Sequence, residues 1–129
     1  MNETIVVFSA TQFTSQQLEE LKYYFGIYKI QPLPLQLYKR WTNVNPMGTL
    51  DVKDLKPLVE FLIEKKKEGI KYVYFDGDKG MEFYMIRCAL EIGMIPLYST
   101  EYQTVESKDG ERVKKHISFR AYHDYDRVR

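Results

Sequence analysis

The sequence predicts a single α/β domain with a Rossmann-like, mainly parallel sheet flanked by helices and followed by a C-terminal β-hairpin. Short apolar runs at 5–8 and 72–75 are each followed by a polar loop and a helical pattern, so the strand-loop-helix unit of parallel sheets occurs twice. Beyond residue 101 the pattern alternates around Asp109-Gly110, which is a strong signal for a tight turn. A chain of 129 residues can bury one core but not two, so residues 1–129 are taken as one domain.

The first strand-loop-helix unit is the most clearly marked. An unbroken apolar run at 5–8 is typical of a strand that is covered on both faces. Thr14 followed by Gln17 resembles a capping box, and Gly26 is expected to end the helix. A second strand is predicted over 27–30.

Prolines, asparagines and a glycine then predict a long irregular loop over 32–48, around Trp41. A second helix follows, with Asp51 or Asp54 as its cap and an apolar stripe along one face. Its end carries three lysines, 65–67, which we interpret as a solvated helix end near the negative pole of the helix dipole.

The second unit places the strand 72–75 before the tight loop 76–80 and a third helix that Gly93 ends. The spacing predicts a buried helix face made of Met81, Met85, Cys88, Ala89 and Ile92. Cys88 is the only cysteine, so an internal disulfide or a cysteine-based metal site is excluded, and its place on the apolar face indicates a core thiol.

The last third of the chain predicts a strand over 94–99 and then two hairpin arms, 102–106 and 112–122, joined through 107–110. Pro96 favours an edge position, or an unpaired N–H side, for the first of these strands. Strict alternation in the second arm places these residues on one face: Arg112, Lys114, His116, Ser118 and Arg120. A solvated edge that discourages aggregation is the alternative explanation of this cationic stripe.

Composition narrows the possible partners. Nineteen Lys and Arg against eighteen Asp and Glu leave a net charge of +1, which gives no reason to expect binding of long nucleic acid. Eleven tyrosines suit the binding of flat bases, although extra core and surface aromatics explain them equally well. The N-terminus lacks the pattern of a signal peptide and no segment reaches the length of a membrane span, so a cytoplasmic protein without a membrane partner is expected.

The candidate site follows from the predicted sheet. Ligands of open parallel sheets bind beyond the carboxyl ends of the strands, where the loops 9–13 and 76–80 would lie. In the second loop, Gly77 and Gly80 would let backbone N–H groups approach a phosphate, and Lys79 would add a positive charge. A plain tight turn capped by Asp78 is the alternative.

No metal and no cofactor are expected. Asp76 and Asp78 have no third carboxylate at a partner spacing, and His116 and His123 have no ligand cluster. Nor does the sequence show a credible Ser–His–Asp or Cys–His set. An RNA-type substrate permits a metal-free route, because its ribose 2′-OH can attack the adjacent phosphate when it is held in line and cations stabilise the developing charge.

Five segments, in this order and spacing, resemble a small family of CRISPR-associated ring nucleases found with type III systems: FSATQFTSQQLEELKYYFG, LPLQLYKRWTNVNP, YFDGDKG, GMIPLYSTEY and VKKHISFRAY. The family is similar to the CRISPR-associated Rossmann-fold sensors. The resemblance implies metal-independent cleavage of cyclic tetra-adenylate to linear products with 2′,3′-cyclic phosphate, which switches off antiviral signalling. It also implies a homodimer that reads the ring across a two-fold axis.

The resemblance assigns residues by position to three polar segments of the family: Ser9, Thr11 and Gln12; Gly77, Asp78 and Gly80; Ser99 and Thr100. Trp41 matches a recurring tryptophan, for which an anchor of the long loop is the alternative role. The chain departs from the family at Ala10-Thr11, where a more polar pair is expected, and at Glu101-Tyr102, where a basic residue is expected.

Together these observations predict two sets of site residues. The catalytic set is Ser9, Lys79, His116 and Arg120. The substrate-binding set is Thr11, Gln12, Trp41, Gly77, Asp78, Gly80, Ser99, Thr100, Arg112 and Lys114. Two alternatives stay open: a non-catalytic sensor or sponge for cyclic oligoadenylate, and a nucleotide-binding or partner-binding protein outside this pathway.

Overall fold

The computed structural model describes residues 2–105, 110 and 112–124. They form a five-stranded sheet of order β2-β1-β3-β4-β5. The strands are β1 Glu3–Ser9, β2 Ile27–Pro32, β3 Tyr72–Asp76, β4 Ile95–Val105 and β5 Arg112–Ala121. The helices are α1 Ser15–Phe25, α2 Leu35–Thr42, the 3₁₀ helix Val52–Leu55, α3 Lys56–Lys67 and α4 Lys79–Glu91. The first four strands are parallel and β5 is antiparallel to β4, so the α/β class and the antiparallel last pair are confirmed.

None of the helices in the described part of the chain combines the length and the apolar content that a bilayer crossing requires. The tight turn predicted at 107–110 falls largely outside the described residues, and so does the C-terminus beyond residue 124.

Helix α1 has the caps that the sequence predicts. The Thr14 hydroxyl accepts a hydrogen bond from the Gln17 N–H at 3.1 Å, and the Gln17 side-chain oxygen accepts one from the Thr14 N–H at 2.9 Å. At the other end Gly26 adopts the left-handed region, at φ +67°, where a glycine has no steric penalty. The capping box fixes where α1 begins and therefore where the preceding loop, 10–14, must end.

Helix α2 corrects the prediction of an irregular loop over 32–48. The helix begins directly after Pro34, where a proline removes no intrahelical hydrogen bond. Leu37 and Trp41 are four residues apart, so they share the face that packs on the sheet. The prolines and asparagines that suggested a loop lie on either side of this helix, and the irregular backbone is confined to the stretch after Asn43.

The 3₁₀ helix, α3 and α4 lie close to the positions that the sequence predicts. Asp51 caps the 3₁₀ helix, since its carboxylate accepts a hydrogen bond from the Lys53 N–H at 3.0 Å. Helix α3 then begins at Lys56, two residues after Asp54, the later of the two predicted caps, and Pro57 lies in its first turn. On α4 the predicted face is confirmed, with Met81, Met85 and Ala89 buried and Cys88 and Ile92 half-buried against the same core.

Two apolar clusters cover the two faces of the sheet. On one face, here called the α1 face, α1 packs over a cluster made of Ile5, Val7, Leu21, Ile27, Leu97 and Phe119. On the opposite face α2, α3 and α4 pack over a larger cluster that includes Val6, Phe8, Leu58, Val73, Phe75 and Met85. Neighbouring strand residues alternate between the two clusters, as a sheet covered on both faces requires.

Strand β4 corrects a second prediction. It is one continuous strand that contains most of the predicted strand 94–99, from Ile95 onward, and most of the first hairpin arm, 102–106. It lies inside the sheet, between β3 and β5, so of the two explanations offered for Pro96 the edge position is wrong and the locally unpaired N–H side agrees with the structure. The proline is tolerated because it pairs with Val73 on the β3 side, while the ladder to β5 begins only at Leu97.

A β-bulge in β5 overturns the strict alternation that the sequence suggested. Thr100 lies opposite Ser118 and Glu101 lies opposite His116, so Ile117 is an extra residue on β5. The extra residue changes which side chains share a face. His116 lies on the α1 face with Phe119, at 4.6 Å between ring centroids, whereas Ser118 is on the opposite face.

Candidate functional site

The sheet has a topological switch point between β1 and β3. The connection from β1 to β2 runs through α1 on one face, and the connection from β2 to β3 runs through α2 and α3 on the other face. Ser9 and Asp76 are the last paired residues of β1 and β3. Ligands of open α/β sheets bind beyond the carboxyl ends of the strands at such a point, so this edge of the sheet is where a site is expected.

A pocket of about 330 Å³ opens at this edge, on the α1 face. Its lining includes six of the residues predicted from the sequence: Ser9, Thr11, Gln12, Ser99, Lys114 and His116. The other lining residues are Phe13, Thr14, Gln17, Tyr74, Asp76 and Glu101. A larger pocket of about 580 Å³ lies between α2 and the segment that precedes α3, and its lining contains none of the predicted site residues.

The first loop reaches this pocket in a fixed conformation. The Ser9 hydroxyl accepts a hydrogen bond from the Thr11 N–H at 3.0 Å, and the Thr11 hydroxyl donates one to the Asp76 carboxylate at 3.3 Å. The loop after β1 is therefore tied both to its own strand and to the end of β3. Two hydroxyls and one carboxylate are held side by side at the mouth of the pocket.

Three side chains from three elements form a continuous hydrogen-bonded series beside the pocket. The Ser99 hydroxyl on β4 is hydrogen-bonded to His116 Nδ1 on β5. His116 Nε2 is 2.8 Å from Glu20 Oε1 on α1, and the Phe119 N–H donates to Glu20 Oε2 at 2.8 Å. The side chains of His116 and Glu20 are only 13% and 14% exposed. The sequence suggested no Ser–His–Asp set, and the structure instead joins a serine, a histidine and a glutamate through hydrogen bonds.

Sequence reasoning missed Glu20 for a physical reason. It lies 96 residues before His116, within a helix whose sequence shows only ordinary surface polarity. The series exists because the bulge turns His116 toward α1, and neither the bulge nor the position of α1 over β5 can be read from residue spacing.

The pocket carries charges of both signs. Lys114 is the cation at its rim, while Asp76 and Glu101 supply two carboxylates. Burial raises the pKa of the Tyr74 hydroxyl well above its ordinary value, and Asp76 and Glu101 raise it further. Tyr74 therefore keeps its proton at neutral pH and can donate a hydrogen bond inside the pocket.

Trp41, predicted to bind substrate, lies in the core instead. Its side chain is 1% exposed, and its indole N–H donates to the Asp76 carbonyl oxygen at 3.1 Å. A side-chain carbon placed on Gly77 would lie 2.8 Å from Trp41 Nε1, so the glycine is needed because the chain passes directly over the indole. The structure fits the alternative role, an anchor, because the ring has no accessible face for a base to stack on.

The loop 76–80 does not present the phosphate cradle that its glycines suggested. The Gly77 N–H donates to the Glu82 carboxylate at 2.8 Å, and the Met81 N–H donates to Asp78 at 3.1 Å. Two N–H groups that could face an anion are thus bonded to carboxylates of the protein. The tight turn capped by Asp78 describes the loop better, and Lys79 and Gly80 are not part of the 330 Å³ pocket.

Two further predicted residues, Thr100 and Arg120, do not join the pocket. Both lie on the face of the sheet opposite to Ser99. Thr100 follows Ser99 on β4, and Arg120 pairs with Tyr98, which precedes Ser99. The Thr100 hydroxyl donates to the Ser118 carbonyl oxygen at 2.9 Å. The backbone of Arg112 belongs to β5, but its side chain lies outside the described part of the structure. Arg120 therefore cannot act together with His116 within one chain.

Within the described ranges, no group of three or more His, Cys, Asp or Glu side chains is arranged to hold a metal ion. The polar groups that line the pocket are hydroxyl, amide, imidazole, ammonium and carboxylate groups.

Comparison with known proteins places the chain in a family. The sequence profile described as "Uncharacterized protein MJ1673 family" matches residues 2–123. The chain belongs to the MJ1673 family. A relative from Methanocaldococcus jannaschii, described as uncharacterized protein MJ1673, is 33% identical over 124 residues, which cover 88% of this chain and 92% of that protein. No solved structure shows significant similarity to the chain. The family match includes every residue that lines the 330 Å³ pocket.

Proposed function

We propose that this MJ1673-family protein is a metal-independent ring nuclease with a Rossmann-like fold. Its substrate is a cyclic oligoadenylate, cyclic tetra-adenylate first, and its products are linear oligoadenylates that end in a 2′,3′-cyclic phosphate. In this proposal the enzyme acts in the cytoplasm and removes the second messenger of a type III CRISPR system. The antiviral nucleases that the messenger activates then return to their inactive state.

One observation carries the proposal. Six residues that were predicted from separate parts of the sequence line the same pocket, at the edge of the sheet where ligands of α/β proteins bind: Ser9, Thr11, Gln12, Ser99, Lys114 and His116. Hydroxyl and amide groups of this kind suit the ribose and phosphate of a nucleotide, and the ammonium of Lys114 suits its negative charge.

The proposed reaction needs no protein nucleophile. The ribose 2′-oxygen attacks the adjacent phosphorus, the O2′–P bond forms, and the P–O5′ bond breaks. Lys114 stabilises the charge that develops on the phosphate oxygens, and Ser9 and Thr11 hold the ribose and phosphate in line. The carboxylates of Asp76 and Glu101 accept hydrogen bonds from ribose hydroxyls or from an adenine amino group, since a carboxylate offers only acceptors.

The size of the pocket supports a two-fold arrangement. A volume of about 330 Å³ lies at the lower end of the range for small-molecule pockets, which run from about 300 to 1,000 Å³, and it suits one nucleotide unit. A ring of several nucleotides therefore needs more surface than one pocket offers. Two copies related by a two-fold axis would supply the same pocket twice to a ring of identical units.

The decisive experiment is an incubation of the purified protein with cyclic tetra-adenylate and cyclic hexa-adenylate in excess EDTA. Products are followed by liquid chromatography and mass spectrometry. Linear species with 2′,3′-cyclic phosphate ends are expected. A cyclic tetra-adenylate whose 2′-hydroxyls are all replaced by hydrogen is the matched control, and it should stay intact.

Two results would count against the enzyme. A ring that co-elutes with the protein and stays intact would replace the nuclease by a sensor or sponge. A ring that neither binds nor is cleaved would overturn the assignment to cyclic oligoadenylate signalling altogether.

A further inference from the structure

The series Ser99–His116–Glu20 has a defined direction. The Phe119 N–H donates to Glu20 Oε2, which holds that carboxylate against β5 and leaves Oε1 facing the imidazole at 2.8 Å. A carboxylate accepts hydrogen bonds but does not donate them, so His116 Nε2 carries a proton and donates it to Glu20. In the neutral imidazole, Nδ1 is then the acceptor, and the Ser99 hydroxyl donates to it.

We propose that Ser99 and His116 form a proton relay that deprotonates the attacking 2′-hydroxyl, with Glu20 as the positioning residue. This inference rests on the function proposed above. In the relay, the 2′-hydroxyl proton passes to Ser99 Oγ while the Ser99 hydroxyl proton passes to His116 Nδ1. The O2′–P bond forms, the P–O5′ bond breaks, and the departing 5′-oxygen takes a proton from water. The hydroxide that remains takes up the proton held by His116, so water is restored and the imidazole returns to its neutral form.

The location of the three side chains fits these roles. Ser99 and His116 line the pocket, whereas Glu20 lies behind them on α1 and is not part of the lining. Ser99 and His116 can therefore meet a ligand, whereas Glu20 can act only through the imidazole. With Nε2 bonded to Glu20 and the ring packed on Phe119 at 4.6 Å between centroids, the imidazole is held in one orientation and one tautomer.

The charged groups around the imidazole come from one helix and three strands. Glu20 faces it from α1, Glu101 lies directly opposite on β4, and Asp76 and Tyr74 face the pocket from β3. Lys114, on the same strand as His116, is the group that faces the substrate phosphate in this proposal.

The test separates rate from binding. Single-turnover cleavage of cyclic tetra-adenylate is measured at saturating protein, and affinity is measured by calorimetry with the 2′-deoxy ring that cannot react. His116→Ala should lower the rate about 10²- to 10⁴-fold, the usual contribution of a general base, and change the affinity less than about threefold. Free imidazole should restore part of that rate, because it replaces the lost proton acceptor.

Ser99 and Glu20 have their own variants. Ser99→Ala should also lower the rate, while Ser99→Thr, which keeps the hydroxyl, should retain most of it. Glu20→Gln should lower the rate without rescue by imidazole, because the base is still present but is less firmly oriented. Circular dichroism identifies any variant that fails to fold, and in that case His116→Gln, which is close in size, replaces His116→Ala.

The outcomes distinguish the relay from the function on which it rests. Cleavage by the wild type together with an unchanged rate in His116→Ala and His116→Gln would overturn the relay and leave the ring nuclease standing. A covalent adduct on Ser99, detected by mass spectrometry, would replace the relay by attack from the serine. A wild-type protein that binds the ring without cleaving it would overturn both.

Discussion

At the scale of single residues, the contact between Gly77 and Trp41 makes a sharp prediction about stability. A methyl group in Gly77→Ala would lie 2.8 Å from Trp41 Nε1 and 2.9 Å from Cε2, closer than two such atoms can approach. The indole must move, and its hydrogen bond to the Asp76 carbonyl oxygen weakens. We expect a loss of about 1–3 kcal/mol in the free energy of unfolding, as for overpacked cores, measured by urea denaturation.

Gly80 provides the matched control for this substitution. It lies in the first turn of α4, and an added methyl group would meet only the Asp78 carboxylate at 3.3 Å and a Leu50 methyl at 3.5 Å. Because alanine favours helix over glycine by up to about 1 kcal/mol, Gly80→Ala should be far milder than Gly77→Ala. Equal losses in the two variants would show that the indole contact does not matter.

Glu82 makes a prediction about pH. Burial raises the pKa of its carboxyl above the ordinary range, with Asp76 and Asp78 adding to the effect, although the Gly77 N–H and Lys79 act in the opposite direction. A carboxyl whose pKa is raised by folding costs stability once it ionises, so this cost is absent well below pH 4 and appears as the pH rises through the folded-state pKa. We expect the cost to be present at neutral pH.

The substitution Glu82→Gln removes the charge and keeps an oxygen that can accept from the Gly77 N–H. Relative to the wild type, this variant should be more stable at pH 7 and indistinguishable at pH 3. Thermal unfolding at both values provides the measurement. A variant that is less stable than the wild type at pH 7 would contradict the predicted sign.

Single residues also show where sequence reasoning succeeds and where it stops. Ser9 and Ser99 could be found because a polar residue at the carboxyl end of a predicted strand is placed at the site by the sheet itself. Glu20 could not be found, because a glutamate within an amphipathic helix has no local feature that names its partner. Trp41 shows the reverse error, in which a distinctive residue type is used for packing.

At the scale of elements, the bulge in β5 decides which cations can reach the pocket. Lys114 lines it with His116, whereas Arg120 pairs with Tyr98 on the opposite face. Lys114→Ala should therefore lower the affinity for cyclic tetra-adenylate by at least about tenfold, the effect of losing one charge-assisted hydrogen bond. Arg120→Ala removes an equal charge from the same strand and should change the affinity less than about twofold.

Calorimetry with the non-reactive 2′-deoxy ring measures both affinities under the same salt concentration, since contacts to phosphate weaken as salt rises. Equal losses in Lys114→Ala and Arg120→Ala would indicate a general electrostatic effect, and the pocket would then lose its role as the binding site.

Features that depend on residues close in sequence could be predicted, whereas features that depend on which strands pair could not. The capping box of α1 and its terminal glycine involve neighbours in sequence, so their boundaries agree with the structure. Strand β4 pairs with β3 along its first part and with β5 from Leu97 onward. The local sequence shows only that the residue pattern changes between the two parts, which suggested two separate strands. The bulge is likewise a property of the pair rather than of either strand.

At the scale of the whole molecule, strand order matters more to the site than any motif. The order β2-β1-β3-β4-β5 sets β1 beside β3 and β4 beside β5, so residues from near 10, 76, 99 and 116 meet at one edge. The α/β class followed from apolar runs and helical spacing. The order did not, because alternation records which faces of a strand are covered but carries no information about which strand lies beside it.

The proposed function makes its last prediction at this scale. If two copies related by a two-fold axis each receive one nucleotide unit on opposite sides of the ring, then calorimetry should give one cyclic tetra-adenylate per dimer. Light scattering after size exclusion should show a dimer at least in the presence of the ring. A monomer that binds one ring per chain would contradict the two-fold arrangement, since a single chain would then hold the whole ring.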